Sequence, residues 1–198
     1  MFKWLLNLLM KAPEVKTPKA PAKVAVAVAI APRTGEYIPS PSKRAKAIGG
    51  VSIAAVAAAA LFIAPWEGVR YKAYRDIAGV PTICYGRTKD VKMTDTATPE
   101  QCDKWFLEEL EEFNRAVRKC LTREPTLNQE VAFVDLAYNT GVTAFCNATY
   151  LKKFNAGDDY AACEGLLAWD KVRINGQLQR IDWQVRRRNA GAALCKQE

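Results

Sequence analysis

The sequence predicts an α+β fold: a mostly helical domain with one small β-hairpin, preceded by an N-terminal helix weakly suited to a membrane. Capping residues mark several helices between residues 65 and 198, whereas only Tyr74 to Thr88 has a β-like pattern. Residues 47–64 form a stretch of 18 uncharged residues. Because 49% of the 198 residues are hydrophobic, a real core can form and wholesale disorder is excluded.

Residues 1–46 are a basic tail rich in Pro, Ala and Lys, which we expect to be extended and cytoplasmic. The first ten residues are too short to span a bilayer, so they are either a surface-bound segment or a frayed start. The net charge of +8 belongs mainly to this tail, which holds nine Lys and Arg against two Glu. Residues 65–198 hold 20 basic and 19 acidic residues, which argues against nucleic acid as a partner.

Residues 47–64 would span about 27 Å as a helix, close to the hydrocarbon thickness of a membrane. Lys43, Arg44 and Lys46 precede them, so the positive-inside rule places the N-terminus in the cytoplasm. The stretch is rich in Ala and Gly and is therefore a weak span. Two alternatives are a cleaved signal peptide, with cleavage near residues 57–60, and a buried core helix.

Helix signals follow through residues 65–198. Thr98, with Pro99 and Gln101, forms a capping box that begins a long helix. Other boundaries are predicted from similar signals: a helix from near Thr126 to Asn139 closed by Gly141, a third ended by residues 155–157, a fourth begun at Asp158, and a last one capped by Asp182.

The cysteine and histidine content indicates the redox compartment and limits the classes of enzyme that the chain can belong to. All six Cys lie in the last 115 residues without a C-x-x-C pair, which favours three disulfides in an oxidising compartment over six buried thiols in the cytosol. If residues 99–119 form one straight helix, Cys102 and Cys120 lie about 27 Å apart and cannot pair, while the other pairings stay open. The absence of His excludes Ser-His-Asp, Cys-His and His-zinc hydrolases, and we expect no metal or cofactor.

Two carboxyl groups and a hydroxyl are the candidate catalytic groups. Glu67 is predicted near the start of a helix, Asp76 at the entry to the hairpin and Thr82 on its return strand. A hairpin folded against that helix would bring both carboxyl groups to one cleft, an arrangement suited to cleavage of a glycosidic bond. On spacing alone, a solvated pair is the more ordinary interpretation.

The spacing E-x8-D-x5-T of Glu67, Asp76 and Thr82 resembles the catalytic motif of phage lysozymes of the T-even type, glycoside hydrolase family twenty-four. The resemblance continues through residues 79–86, 136–141, 151–158 and 185–188, and so covers nearly all of residues 62–198. It implies a lysozyme-like domain that hydrolyses the β-1,4 bond between N-acetylmuramic acid and N-acetylglucosamine in peptidoglycan and thereby lyses the host cell.

The resemblance also implies roles for individual residues. Glu67 would be the general acid, and Asp76 and Thr82 would hold the attacking water in an inverting reaction. One arginine among residues 186–188 would pair with Glu67, although this triplet is also consistent with a solvated helix face. Cys84 departs from the family, whose members often carry Gly there; a disulfide at Cys84 would tie the hairpin to the body and make activity depend on oxidation.

Residues 47–64 resemble the signal-anchor-release segment of some phage lysozymes. The implied organisation is a tail at 1–46, a signal-anchor at 47–64 and a catalytic domain at 65–198. The enzyme would be tethered to the inner membrane and then released, as a monomer, into the periplasm of a Gram-negative host. Because residues 47–64 contain no Cys, we expect activation by refolding of the segment against the body rather than by disulfide exchange.

Two rival functions remain at this point. A lytic transglycosylase cuts the same bond without water, but usually works with a single catalytic Glu. A non-catalytic peptidoglycan-binding protein could keep the fold without the chemistry. The set of Glu67, Asp76 and Thr82 argues against both.

Overall fold

A computed structural model describes residues 52–76, 79–174 and 177–197. The predictions for the tail at residues 1–46, and for the start of the anchor at residues 47–51, lie outside the described residues. Within the described ranges the chain is mostly helical with two small two-stranded sheets, which confirms the predicted fold class.

Helix α1, Ile53–Glu67, is apolar over most of its length and ends at the candidate site. Ser52 caps it by accepting a hydrogen bond from the backbone N of Ala55 at 3.0 Å. Its buried residues, Ala55, Ala59 and Ile63, recur every fourth position and so lie on one face. In the described ranges, no helix is both long and apolar enough to cross a membrane.

Helix α1 continues through Pro65 and stops where Gly68 takes a φ of +64°, a left-handed conformation that favours glycine. The N–H of Gly68 donates to the carbonyl of Ala64 at 3.1 Å. Strand β1, Arg70–Arg75, then pairs antiparallel with strand β2, Pro81–Cys84. This is the predicted hairpin, with Tyr74 opposite Thr82.

Six more helices follow. They are α2 (Pro99–Cys120), α3 (Leu127–Thr140), α4 (Val142–Cys146), α5 (Thr149–Asn155), α6 (Asp159–Gly165) and α7 (Asp182–Cys195). The predicted capping box at Thr98 is confirmed, and Thr126 begins α3 with a second one. Asp158 caps α6 as predicted, whereas Asp182 is the first residue of α7 and makes no capping bond, so that cap was wrong.

Helix α3 forms the centre of the body. Residues 129–138 are all buried, because α1, α2 and α7 pack around them. Helix α1 contributes Ala59 and Ile63 to this same core. Residues of the predicted anchor thus form part of the folded body, and α1 runs across the boundary predicted between residues 64 and 65.

A second hairpin escaped prediction. Strands β3, Lys171–Ile174, and β4, Gln177–Arg180, pair antiparallel between a 3₁₀ turn at Leu166–Trp169 and α7. The sequence carries a signal for it, because Val172 and Ile174 alternate with Lys171 and Arg173, and the dipeptide Asn175-Gly176, typical of hairpin turns, follows.

Three disulfides join the six cysteines in the pairs Cys84–Cys102, Cys120–Cys146 and Cys163–Cys195. The predicted count is confirmed, and Cys102 and Cys120 lie at opposite ends of α2 and bond to different partners. The first disulfide attaches the β1–β2 hairpin to α2.

Candidate active site

Glu67 is the last residue of α1, and the prediction that it begins a helix was wrong. The apolar stretch and the candidate acid belong to one continuous helix, which Gly68 terminates. This places the carboxyl group at the junction between the helical core and the hairpin, with its side chain 19% exposed.

Arg187 of α7 is the arginine that pairs with Glu67. Its Nη1 lies 2.8 Å from Oε1 of Glu67, and its side chain is 1% exposed. Arg186, the preceding residue, is exposed, whereas Arg188 is buried and turned to other partners. The sequence predicted an arginine in this triplet but did not distinguish its members.

Asp135 of α3 is buried between the two buried arginines. Its Oδ1 accepts from Nε of Arg187 at 2.8 Å, and its Oδ2 accepts from Nη1 of Arg188 at 3.0 Å. Arg188 also donates from Nε to the carbonyl of Trp169 at 3.1 Å and from Nη2 to the side chain of Asn139. Charged and polar groups therefore continue inward from Glu67 to the centre of the body.

The ionisation of the two arginines reflects this packing. Burial lowers the pKa of Arg187, but the carboxylates of Asp135 and Glu67 act more strongly and the net effect is a raised pKa. Burial, together with the charge of Arg187, lowers the pKa of Arg188 to about 10 against the opposing effect of Asp135. Both arginines therefore remain cationic at neutral pH.

Asp76 and Thr82 meet at Val80. The backbone N of Val80 donates to Oδ1 of Asp76 at 2.8 Å, and the Thr82 hydroxyl donates to the carbonyl of Val80 at 3.0 Å. Gly79, with a φ of +79°, lies in the turn and its N–H donates to the carbonyl of Asp76 at 2.9 Å. One peptide segment thus orients both predicted site residues on the hairpin that follows Glu67.

Several contacts hold this hairpin to the helices. The Tyr85 ring stacks on Phe106 of α2 with centroids 4.5 Å apart, and the Tyr138 hydroxyl of α3 donates to the carbonyl of Tyr85 at 3.2 Å. Arg87 pairs with Glu109 of α2 at 3.0 Å. Together with Cys84–Cys102, these contacts hold the hairpin against α2 and α3.

The residues that contact Arg187 and Arg188 from the interior of the body were not identified from the sequence. Asp135 is the one charged residue within the apolar run at residues 131–138 of α3, and Gln184 donates to the side chain of Asn139 at 2.6 Å from one turn before Arg188. A charged residue in a segment that is otherwise apolar was the available signal, because burial of a carboxylate requires a partner.

A carboxyl group held by a buried cation and a second carboxyl group on the hairpin that follows it in the chain form a set suited to cleavage of a glycosidic bond. The sequence model of the phage lysozyme family matches residues 64–191. The chain belongs to the phage lysozyme family.

Individual relatives agree. The SAR-endolysin of Pseudomonas phage phiKMV is 42% identical over 142 residues, which cover 72% of this chain and 88% of that protein. An endolysin structure from Escherichia coli O157:H7 phage FAHEc1 has a TM-score of 0.65 at 33% identity and covers 75% of this chain and 94% of that one. The muramidase domain of SpmX from Asticaccaulis excentricus has a TM-score of 0.66 at 27% identity, with 75% and 98% covered.

Proposed function

We propose that this chain is a phage endolysin that hydrolyses the β-1,4 bond between N-acetylmuramic acid and N-acetylglucosamine in peptidoglycan and so lyses the host. The observation that carries the proposal is the pairing of Glu67 with buried Arg187, directly before the hairpin that holds Asp76 and Thr82. Membership of the phage lysozyme family supports the same substrate class.

Glu67 would act as the general acid that protonates the leaving glycosidic oxygen. Its position at the end of a packed helix supports this role, because the backbone there is fixed by the core. The contact of Arg187 with Oε1 restricts rotation of the carboxyl group. A proton donor held in one orientation can stay aligned with the leaving oxygen through the transition state.

Asp76 and Thr82 would hold the attacking water. The Thr82 hydroxyl gives its single proton to the carbonyl of Val80, so toward water it acts as an acceptor. An ionised Asp76 carboxylate is also an acceptor. A water that donates one proton to each directs a lone pair outward, toward the anomeric carbon of a bound sugar. As the water oxygen bonds to that carbon and the bond to the leaving oxygen breaks, the Asp76 carboxylate would take one of the water protons.

The test uses the full chain, purified with its disulfides oxidised, on isolated peptidoglycan. Glu67→Gln is compared with Glu130→Gln, since Glu130 also pairs with an arginine, Arg118, but takes no part in holding the hairpin. We expect new reducing muramic ends from the wild type and Glu130→Gln, and a loss of at least about 100-fold for Glu67→Gln. Mass spectrometry of the sugar ends provides the measurement.

Other products would contradict the proposal in distinct ways. Anhydro-muramic ends would identify a lytic transglycosylase, in which Asp76 and Thr82 have no water to hold. Binding to peptidoglycan without any new ends would identify a wall-binding protein. Equal activity of the two Gln variants would remove Glu67 from the reaction.

We further propose that residues 47–64 tether the chain to the inner membrane before its release, as a monomer, into the periplasm. The names of several relatives, including the SAR-endolysins of phiKMV and of Enterobacteria phage P21, support a signal-anchor. Fractionation of expressing cells, with the N-terminus of each pool determined, tests this. An intact N-terminus in both pools is expected, and a mature N-terminus near residue 60 would favour signal cleavage.

A further inference from the structure

We infer that Asp135 is a positioning residue for catalysis, which acts on Glu67 through Arg187. The inference rests on the proposed role of Glu67 as the general acid. Asp135 lies on α3 and would contact neither the sugar nor the attacking water. The guanidinium group of Arg187 lies between it and Glu67.

The division of contacts on Arg187 carries the inference. Nε of Arg187 binds Oδ1 of Asp135 at 2.8 Å, and Nη1 of the same guanidinium lies 2.8 Å from Oε1 of Glu67. Nη2 of Arg187 also lies 2.8 Å from Oδ1 of Asp135. Because the guanidinium is planar and rigid, contacts at both Nε and Nη2 determine where Nη1 lies. The position of Asp135 is thereby transmitted to the carboxyl group of Glu67.

Asp135 is itself held in place. Its second oxygen binds Nη1 of Arg188 at 3.0 Å, and Arg188 is anchored to the Trp169 carbonyl and to Asn139. Gln184 donates to Asn139 at 2.6 Å and to the carbonyl of Trp169 at 3.3 Å. The carboxylate is therefore oriented by a second, independent cation, so that it serves as a fixed point for Arg187.

Asp135 also neutralises the charge of the two buried arginines. Asp135 and Arg187 are each 1% exposed and Arg188 is 2% exposed, so these charges have little access to water. When Glu67 is ionised, the two arginines are balanced by two carboxylates. When Glu67 carries the proton that it must donate, Asp135 is the remaining carboxylate of this group. Without Asp135, two adjacent buried arginines would have no carboxylate in that state, and a buried uncompensated charge is strongly unfavourable.

The experiment compares Asp135→Asn with Glu130→Gln in the oxidised full chain. Glu130 lies on the same helix, is also buried, and pairs with Arg118 at 2.6 Å, away from Glu67. We expect both variants to lose stability, but only Asp135→Asn to lose kcat, by at least 10-fold, with KM within twofold of wild type. Soluble uncross-linked peptidoglycan strands are the substrate, and thermal melting sets an assay temperature at which each variant is folded.

A double-mutant cycle separates an action through Arg187 from a general loss of packing. If Asp135 acts through Arg187, adding Asp135→Asn to Arg187→Gln should lower kcat less than twofold further. If Asp135→Asn does not fold, Asp135→Glu keeps the charge but moves the carboxylate by one methylene, and the same loss in kcat without a change in KM is expected.

The outcomes distinguish the inference from the proposed function. Reducing ends from wild type and none from Glu67→Gln, with full kcat in the folded Asp135 variant, would overturn the inference and leave the function standing. A loss of kcat equal to that of Glu130→Gln, or fully additive with Arg187→Gln, would also overturn it. Absence of reducing ends from the wild type would instead overturn the proposed function.

Discussion

At the scale of single residues, burial separates three consecutive arginines that the sequence presents as equivalent. Arg186 is exposed, Arg187 faces Glu67 and Arg188 faces Asn139 and Trp169. Successive residues on a helix are rotated by about 100°, so a triplet cannot share one face. Which arginine pairs with Glu67 is therefore set by the rotation of α7 against α3, which depends on tertiary packing.

This difference gives a prediction for Arg187→Gln against Arg186→Gln. In Arg187→Gln, Asp135 and Glu67 both lose their ion pair with Arg187. Breaking a buried ion pair lowers the free energy of unfolding by about 3–5 kcal/mol. Arg186→Gln should change it by less than about 0.5 kcal/mol. Urea unfolding of both oxidised variants provides the measurement, and equal midpoints would contradict the assignment of Arg187.

The residues that sequence reasoning found and missed differ in kind. Glu67, Asp76 and Thr82 could be proposed as site residues because their spacing resembles a motif, and motif residues are close along the chain. Asp135 was missed because its partners Arg187 and Arg188 are more than 50 residues away. Contacts over such separations follow from how helices pack, which a single sequence does not specify.

At the scale of elements, the capped helices and the first hairpin were predictable, because capping boxes and turn residues act over three or four positions. The second hairpin was also predictable but was overlooked, since residues 171–174 alternate and are followed by Asn175-Gly176. The prediction of Glu67 at a helix start was wrong because the boundary was placed where the uncharged stretch ends, at residue 64. The helix instead passes through Pro65 and ends at Gly68.

The β1–β2 hairpin depends on its disulfide in a way that can be measured. Cys84 has a φ of +56°, a left-handed conformation that explains why family members often carry Gly at this position. Its bond to Cys102 joins β2 to α2 near Thr82. Replacing both cysteines by Ser should destabilise the fold by about 3 kcal/mol and also lower kcat, because the hairpin loses its attachment.

The matched control replaces both Cys163 and Cys195 by Ser. The disulfide between these two cysteines joins α6 to α7, away from the hairpin. This control variant should lose stability while its folded fraction keeps the turnover of wild type. Peptidoglycan hydrolysis below the melting temperature of both variants, with and without excess reductant, separates the two effects. Full turnover of the Cys84/Cys102 variant would show that the hairpin stays in place without the bond.

At the scale of the whole molecule, the proposed tether would require α1 to suit two environments. Its inner face, with Ala55, Ala59 and Ile63, is fully buried in or against the body, yet Ile53 is 90% and Leu61 is 81% exposed. Large apolar side chains on a solvent face bring no packing energy to the folded enzyme. They are what a bilayer requires, since a helix that is apolar all round is suited to lipid. Both faces of one helix are thus accounted for by the proposed tether and the folded body.

Leu61→Lys and Ala59→Lys separate these two demands. A charge at the centre of a membrane helix disfavours insertion by about 2.5–3.5 kcal/mol, and one nearer its end, as at positions 59 and 61, by less. Both variants should therefore shift part of the protein from the membrane fraction to the soluble fraction. Lys at exposed position 61 should leave the oxidised enzyme folded and fully active, whereas Lys at buried position 59 should destroy the core beside Glu67 and abolish activity. Fractionation and peptidoglycan hydrolysis are measured on the same preparations. If Leu61→Lys fractionates with the membrane like wild type, the exposure of Leu61 has no membrane role. If the variant is soluble but inactive, the folded enzyme needs Leu61 even though this side chain is exposed.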